Sequence, residues 1–193
     1  LSDQVPLIGF TGAPFTMASY AIEGGPSSTY AHTKTLMYAE PEAWHRLMDA
    51  FATVATDFLS AQIEAGAQAV QIFDSWVGSL SLQDYREFVF PHTQKIFKGL
   101  QPLDTPTLHF GTGTTTLLSA MREAGGDVIG LDWRIPLDEG WKLVGKDCAV
   151  QGNLDPTLLL GPADRMFRGA HDVLQRAGGR PGHIFNLGHG ILP

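Results

Sequence analysis

Six short apolar runs, separated by longer amphipathic segments, constrain the fold of this chain more than any other feature. The runs are Pro6–Thr11, Gln68–Asp74, Pro106–Gly111, Val128–Trp133, Ala149–Asn153 and His183–Leu187. Several of them are almost continuously apolar rather than alternating, which is typical of parallel strands covered on both faces. The pattern therefore predicts an α/β protein built on a parallel sheet.

The segments between the runs carry helix signals. The predicted helices are Glu42–Ala65, Gln83–Val89, Thr114–Glu123 and Pro162–Gln175, and a short helix is expected around Tyr20. Gly66 follows the first of them as a C-terminal cap, and Ser81 stands before the second as an N-terminal cap. Because the linkers are short and no segment is of low complexity, we expect residues 1–193 to form part of a single domain.

Two architectures fit such alternation: an open doubly wound sheet and a closed (β/α)₈ barrel. An open sheet that binds a nucleotide usually has a glycine-rich turn after its first strand. Here that place reads Gly9-Phe10-Thr11-Gly12-Ala13-Pro14, which lacks the GxGxxG spacing and loses an amide donor at the proline. The barrel is favoured, although only about six of its eight β/α units are identifiable. We expect about two units to precede Leu1 and a closing helix to follow Pro193.

Composition excludes several classes of function. The net charge of −7 argues against non-specific nucleic-acid binding, and an acidic substrate would need a local positive site. The single cysteine, Cys148, excludes an intramolecular disulfide and a multi-cysteine metal cluster, and it fits a reducing compartment. No signal peptide and no run long enough to span a bilayer are found. We therefore expect a cytoplasmic protein whose partners are neither nucleic acid nor membrane.

Polar and aromatic side chains gather at the carboxyl ends of the predicted strands. They are Thr11 and Phe15, Asp74-Ser75-Trp76, His109-Phe110-Gly111, Asp132-Trp133-Arg134, Asn153 with Asp155, and His189. In a barrel the carboxyl ends of all strands meet around one mouth, where active sites form. The sequence thus predicts a ligand site at this end of the sheet.

These side chains differ in how well a structural role explains them. His189 lies between Gly188 and Gly190, which offer little packing and allow close approach of a ligand, so a functional role is favoured. For Asp74-Ser75, helix capping and ligand contact remain equally open. Tyr20 alone fits a core or rim aromatic.

Three further residues are better explained by structure. Asp132, next to an arginine, predicts an ion pair or a turn. Asp155 precedes a proline and predicts an N-terminal cap. His109 lies inside a strand and is expected to be a hydrogen-bonded interior histidine.

Six segments together resemble the uroporphyrinogen decarboxylase family, in family order over essentially the whole chain. They are Gly9-Phe10-Thr11-Gly12-Ala13-Pro14-Phe15-Thr16, Tyr20 with Ile22-Glu23-Gly24-Gly25, Gln71-Ile72-Phe73-Asp74-Ser75, Gly130-Leu131-Asp132-Trp133, Gln151-Gly152-Asn153-Leu154-Asp155-Pro156 and Asn186-Leu187-Gly188-His189-Gly190. Each segment alone is weakly specific, and the set is strongly specific.

The resemblance implies a (β/α)₈ barrel that works as a homodimer and as a carboxy-lyase. Members of the family remove the carboxyl groups of the four acetate side chains of uroporphyrinogen III, giving coproporphyrinogen III in haem and porphyrin biosynthesis. They use no metal and no organic cofactor. The resemblance matches Tyr20, Ser75 and His189 to family substrate-binding positions.

The same resemblance implies that no catalytic residue is identifiable in this chain. The family's catalytic aspartate, and its arginines that bind the substrate's carboxylates, are expected upstream of Leu1. We therefore expect the 193-residue stretch to be inactive by itself.

Two other functions remain open. One is a zinc-dependent corrinoid methyltransferase of the same barrel superfamily. Such an enzyme would carry a His-x-Cys zinc motif at the third strand. Here that place reads His109-Phe110-Gly111, and Cys148 begins another strand, so a thiolate zinc site is not favoured. The other is a relative that binds a tetrapyrrole without chemistry.

Overall fold

The computed structural model describes residues 5–25 and 27–191, and its centre is one parallel sheet of six strands. The strands are β1 Ile8–Gly12, β2 Ala69–Asp74, β3 Thr107–Gly111, β4 Val128–Gly130, β5 Ala149–Leu154 and β6 His183–Leu187. Each pairs in parallel with the next, so the spatial order equals the chain order. A doubly wound sheet reverses its strand order at a switch point, so this order excludes it. The predictions about what precedes Leu1 and follows Pro193 lie outside the described residues.

Eight α-helices are found in the described residues, and most of them connect successive strands. They are α1 Pro14–Glu23, α2 Ala31–Ala39, α3 Pro41–Glu64, α4 Leu82–Asp84, α5 Phe90–Leu100, α6 Leu118–Ala124, α7 Leu137–Val144 and α8 Ala163–Ala177. A π-helical turn, Tyr85–Val89, joins α4 to α5, and 3₁₀ turns occupy Val77–Ser79, Gln101–Leu103 and Pro156–Leu160. No helix of the described ranges has the length and apolar character needed to cross a membrane.

The sheet is strongly curved, as one contact across it shows. The side-chain amide of Gln151 on β5 donates to the amide oxygen of Gln71 on β2 at 3.2 Å, and both residues are buried. Three strand spacings separate these strands, which amounts to about 14 Å in a flat sheet. Side chains can span the remaining gap only if the sheet bends around them, as in a barrel wall.

The outer face of the sheet forms the core with the helices. Ile72, Ile129 and Val150 point outward and are buried. Two fully buried tryptophans anchor the layer: Trp44 donates to the carbonyl of Phe88 at 2.9 Å, and Trp141 donates to the carbonyl of Cys148 at 2.8 Å. The described part of the fold therefore has the two layers of a (β/α) barrel wall, an inner sheet and an outer set of helices.

Among the element boundaries that differ from prediction, two have a local explanation. The fourth strand ends at Gly130 because the chain turns at once to bury the Asp132 carboxylate. The second predicted helix continues to Leu100, and the π-helical turn Tyr85–Val89 ends two residues before Pro91. Proline lacks the amide that a regular helix needs, so one widened turn lets the helix pass it.

Candidate active site

The loops after the strands form one connected rim at the carboxyl end of the sheet. The Thr112 hydroxyl donates to the backbone carbonyl of Ser75, which joins the loops after β3 and β2. The backbone amide of Gly113 donates to the Asp132 carboxylate, which joins the loops after β3 and β4. These bonds fix three neighbouring strand ends to one another.

The rim continues through β5 to β6. The Asn153 side chain donates to the carbonyl of Asp132 at 2.8 Å, and the Gly188 amide donates to the carbonyl of Leu154 at 2.7 Å. A Cβ atom on Gly188 would lie 2.4 Å from the backbone nitrogen of Trp133. Gly188 therefore allows the loop after β6 to pack directly on the loop after β4, and this places His189 at the rim.

His189 is exposed and lies beside an aromatic and a cation. Its ring meets the edge of Trp133 at 5.8 Å between centroids, at an interplanar angle of 87°. The Arg134 guanidinium lies 3.8 Å from the Trp133 ring centroid. Such stacking is favourable because the ring face is electron-rich. The imidazole thus points to solvent at the mouth, with a guanidinium on its aromatic neighbour.

Tyr20 and Ser75 are brought together by Trp76. The Tyr20 ring lies 3.9 Å from the Trp76 ring, and Tyr30 contacts the same indole at 5.3 Å. Tyr20 is half exposed, and Ser75, directly before Trp76, is half buried. Two of the three predicted substrate-binding residues therefore share one wall of the rim, while His189 follows β6, four strands further along the sheet.

Glu23 holds the loop that carries Tyr30. Its carboxylate accepts hydrogen bonds from the amide and the hydroxyl of Thr33, each at 2.9 Å, at the start of α2. The bond from the Thr33 amide is the main reason that the pKa of Glu23 lies below its ordinary value. Sequence reasoning noticed Glu23 only as part of a motif, because its partner is ten residues away in another helix.

The structural roles predicted for two aspartates are confirmed. Asp132 is buried and accepts from Arg134 twice, from the guanidinium at 2.6 Å and from the backbone amide at 3.0 Å. Asp155 accepts from the amide of Thr157 at 2.9 Å and so caps the following 3₁₀ turn.

Asp74 and His109 lie behind the rim, on the helix side of the sheet. Both are fully buried, and the closest approach between the His109 Nε2 and the Asp74 Oδ2 is 3.8 Å. His109 was expected to be a hydrogen-bonded interior histidine. Its Nδ1 does lie 3.4 Å from the carbonyl of Met121, but its Nε2 has no hydrogen-bond partner among the described residues, so that expectation is only half right.

An aromatic ladder inside the sheet was missed by sequence reasoning. Phe10, Phe73 and Phe110 stand on β1, β2 and β3, with ring centroids 5.7 Å and 5.8 Å apart along the row. They share the inner face with Gln71, because alternate residues of a strand point the same way. The parity of each strand could have revealed the row once the parallel register was assumed.

A separate cavity lies at the opposite end of the sheet. It has a volume of about 480 Å³ and is lined near the amino ends of β3 and β4. Its cations already have partners: Lys98 donates to Gln94 at 2.8 Å, and Arg122 donates to the carbonyl of Gly126 at 3.0 Å. The rim, with an exposed histidine and a half-exposed tyrosine, is the better candidate for a ligand site.

A curved parallel sheet in chain order, wrapped by helices and with its polar residues at the carboxyl ends of the strands, places the chain in the class of (β/α)-barrel proteins. Among solved structures, dihydropteroate synthase from Burkholderia cenocepacia matches 98% of this chain and 62% of its own, with a TM-score of 0.54 and 16% identity. The 7,8-dihydropteroate synthase from Vibrio fischeri matches 98% of this chain and 64% of its own, with a TM-score of 0.50 and 15% identity. At this identity the likeness concerns the fold alone.

The sequence comparison identifies the family within that class. The family described as uroporphyrinogen decarboxylase (URO-D) matches residues 1–193. Proteins named uroporphyrinogen decarboxylase are 60% identical over 193 residues in Sorangium cellulosum and 53% identical over 191 residues in Carboxydothermus hydrogenoformans. The chain belongs to the uroporphyrinogen decarboxylase family, as its sequence motifs predicted. It spans about half the length of these relatives, 55% in both, although they match 100% and 99% of the chain.

Proposed function

We propose that this chain forms the greater part of a uroporphyrinogen decarboxylase, a carboxy-lyase that converts uroporphyrinogen III to coproporphyrinogen III. The observation that carries the proposal is the family match over every residue of the chain, at 60% identity to a relative of that name. The hydrogen-bonded rim supports it, because Ser75 and His189 follow strands at that end and Tyr20 of α1 contacts Trp76 beside Ser75.

The chain would supply about six of the eight β/α units of one barrel domain, with the rest of the polypeptide completing the wall. The relatives' greater length supports this division. So does the apolar surface of α3, where Val54 and Phe58 are exposed. Further β/α units packed there would cover these side chains. The isolated 193-residue stretch would then lack both its catalytic groups and part of its core.

The chemistry explains why a barrel rim without a cofactor is sufficient. Each turnover breaks the bond between an acetate methylene and its carboxylate and releases carbon dioxide. The electron pair of that bond passes into the pyrrole ring, which has first been protonated. A proton is then added to the methylene to give a methyl group, and the ring releases the proton that it took up, so that one proton is consumed for each carbon dioxide released. Since the protonated ring is itself the electron sink, the protein needs only to orient the macrocycle and to stabilise its charge.

In this chain, Tyr20, Ser75 and His189 would bind the carboxylates of the substrate. Hydroxyl groups donate to carboxylate oxygens, and an imidazole can do so as a cation. The phenylalanine ladder would form an apolar wall against the macrocycle. Arg134 would contribute positive potential beside His189, although its ion pair with Asp132 neutralises much of it. The catalytic aspartate and the carboxylate-binding arginines would come from the upstream part of the polypeptide.

The zinc methyltransferase alternative is not favoured. His109, at the place of the zinc motif, is buried on the helix side of the sheet and does not face the mouth. Burial raises the pKa of the Cys148 thiol, which opposes the thiolate form that zinc binds. Residues 5–25 and 27–191 contain no group of three or more histidine, cysteine or acidic side chains placed to hold a metal ion.

A homodimer and a cytoplasmic location complete the proposal. The homodimer follows from the family resemblance, and the cytoplasmic location follows from composition, since the single buried cysteine agrees with a reducing compartment. Sedimentation equilibrium of the full-length protein gives the oligomeric state.

The kinetics of the His189→Ala variant test the proposal. In a full-length chain, of the length of the relatives, the KM for uroporphyrinogen III should rise about tenfold or more, because one charge-assisted hydrogen bond is lost, while kcat stays within about twofold. His171→Ala, at an exposed position of α8, is the matched control and should leave both constants unchanged. A wild-type chain without decarboxylase activity would refute the proposed function; a variant with wild-type constants would remove His189 from the site.

A further inference from the structure

Asp74 is fully buried, ionisable and unused by the proposed chemistry. It ends β2 on the helix side of the sheet, directly before Ser75. Its Oδ1 accepts from the Thr16 hydroxyl of α1 at 3.4 Å, and its Oδ2 has no hydrogen-bond partner among the described residues. A carboxyl group buried in this way is costly unless its surroundings satisfy it.

His109 is the group that faces the unpaired oxygen. Its Nδ1 lies 3.4 Å from the Met121 carbonyl. Its Nε2 lies 3.8 Å from the Asp74 Oδ2, beyond hydrogen-bonding distance, and neither atom has a hydrogen-bond partner among the described residues. His109 therefore packs against the unpaired side of Asp74.

Tyr85 closes the same cluster from the π-helical turn. It is fully buried, and its hydroxyl has no hydrogen-bond partner within the described ranges. Burial raises the pKa of Tyr85 well above its ordinary value, and the charge of Asp74 adds to the shift. Tyr85 is therefore a neutral hydroxyl near Asp74. We call Thr16, Asp74, Tyr85 and His109 the buried polar cluster.

The buried polar cluster is directly connected to the two rim residues Ser75 and Tyr20. Asp74 is joined by one peptide bond to Ser75, and Thr16 lies one helical turn before Tyr20 on α1. The Thr16–Asp74 bond is thus a direct link between the two elements that carry these residues. Trp76, which follows Ser75, touches the Tyr20 ring and forms a second link.

We propose that Asp74 is a positioning residue. Its contact with Thr16, supported by His109 on the other side, fixes the end of β2 against α1. This contact sets the relative positions of the Tyr20 and Ser75 hydroxyls. The inference rests on the proposed function, because it concerns how those hydroxyls meet the substrate. Asp74 itself does not touch the substrate, since it lies wholly inside the helix-to-sheet layer.

Steady-state kinetics of the full-length protein with uroporphyrinogen III test this role. Asp74→Asn and Thr16→Val should each raise KM about fivefold to tenfold and leave kcat within about twofold, because binding hydroxyls are misplaced while the reacting groups are untouched. Thr16→Ser keeps the hydroxyl and should restore the wild-type KM. Asp49→Asn, in an exposed ion pair with Lys95, is the control and should change neither constant.

A double-mutant cycle separates positioning from general stability. In a Tyr20→Phe background, Asp74→Asn should raise KM by less than twofold, because the position of Ser75 relative to the Tyr20 hydroxyl no longer matters once that hydroxyl is removed. The same fold increase in both backgrounds would overturn the proposal, as would an unchanged KM in Asp74→Asn or Thr16→Val. If Asp74→Asn does not fold, the contrast between Thr16→Val and Thr16→Ser decides, and equal KM values for the two would overturn it. A wild-type protein that does not decarboxylate refutes the proposed function, and this inference with it.

Discussion

At the scale of single residues, the rim depends on contacts that no local sequence rule describes. His189 was singled out because glycines flank it, and the structure shows that the two glycines have different roles. Gly188 is buried where a side chain would strike the backbone of Trp133, whereas a Cβ on Gly190 would meet nothing within 4 Å. The tight contact of Gly188, rather than flexibility, places the imidazole.

This difference predicts unequal effects of the two alanine substitutions. Gly188→Ala should destabilise the full-length protein by about 1–3 kcal/mol, because the new methyl group must displace backbone, and it should raise KM by moving His189. Gly190→Ala, the matched control, should cost less than about 1 kcal/mol. Urea unfolding of both variants measures the contrast, and equal free energies of unfolding would show that the contact with Trp133 is not tight.

A histidine pair on the outer helices predicts a pH dependence. The Nδ1 of His45 on α3 lies 2.9 Å from the Nε2 of His92 on α5. Burial, and then the charge of His45, lower the pKa of His92 to about 4 from 6.5. Because the folded pKa is the lower one, the unfolded chain binds more protons between about pH 6.5 and 4. The contribution of neutral His92 to the free energy of unfolding is therefore complete above this range. It is lost as the pH falls through the range, and the loss amounts to up to about 3 kcal/mol.

His92→Gln should remove that part of the pH dependence. The free energy of unfolding, measured in urea between pH 4 and 8, should fall less steeply toward acid in this variant than in the wild type. His171→Gln, at an exposed position, should keep the wild-type slope. An unchanged slope in His92→Gln would mean that His92 is not held neutral in the folded protein.

At the scale of elements, all six strands were predictable, because buried parallel strands leave apolar runs that sequence alone reveals. Three helices were not predicted: Ala31–Ala39, Phe90–Leu100 and Leu137–Val144. The first follows Tyr30, which has a left-handed backbone and provides no side-chain cap, and Glu23 of α1 accepts a hydrogen bond from its first turn instead. The second contains Pro91 near its start, a proline that indicates a helix end. These helices therefore depend on tertiary contacts, which local sequence rules do not describe.

At the scale of the whole molecule, the sequence predicted where the candidate site residues lie in the fold better than it predicted how the loops between them are joined. Parallel strands bring their carboxyl ends to one edge, so the location of Ser75 and His189 followed from the fold. The links between loops did not, since Thr112 meets Ser75 and Asn153 meets Asp132 across neighbouring strands. The curvature that brings Gln71 to Gln151 is likewise a property of the assembled sheet.

The central claim is that the carboxyl-end rim, stretching from Tyr20 and Ser75 to His189, holds the tetrapyrrole. A crystal structure of the full-length protein with coproporphyrinogen bound tests it most directly. We predict the macrocycle inside the curved sheet, with its carboxylates within hydrogen-bonding distance of Tyr20, Ser75 and His189 and its ring against the phenylalanine ladder. A tetrapyrrole bound at the cavity near the amino ends of β3 and β4, or one that leaves these three side chains untouched, would contradict the claim.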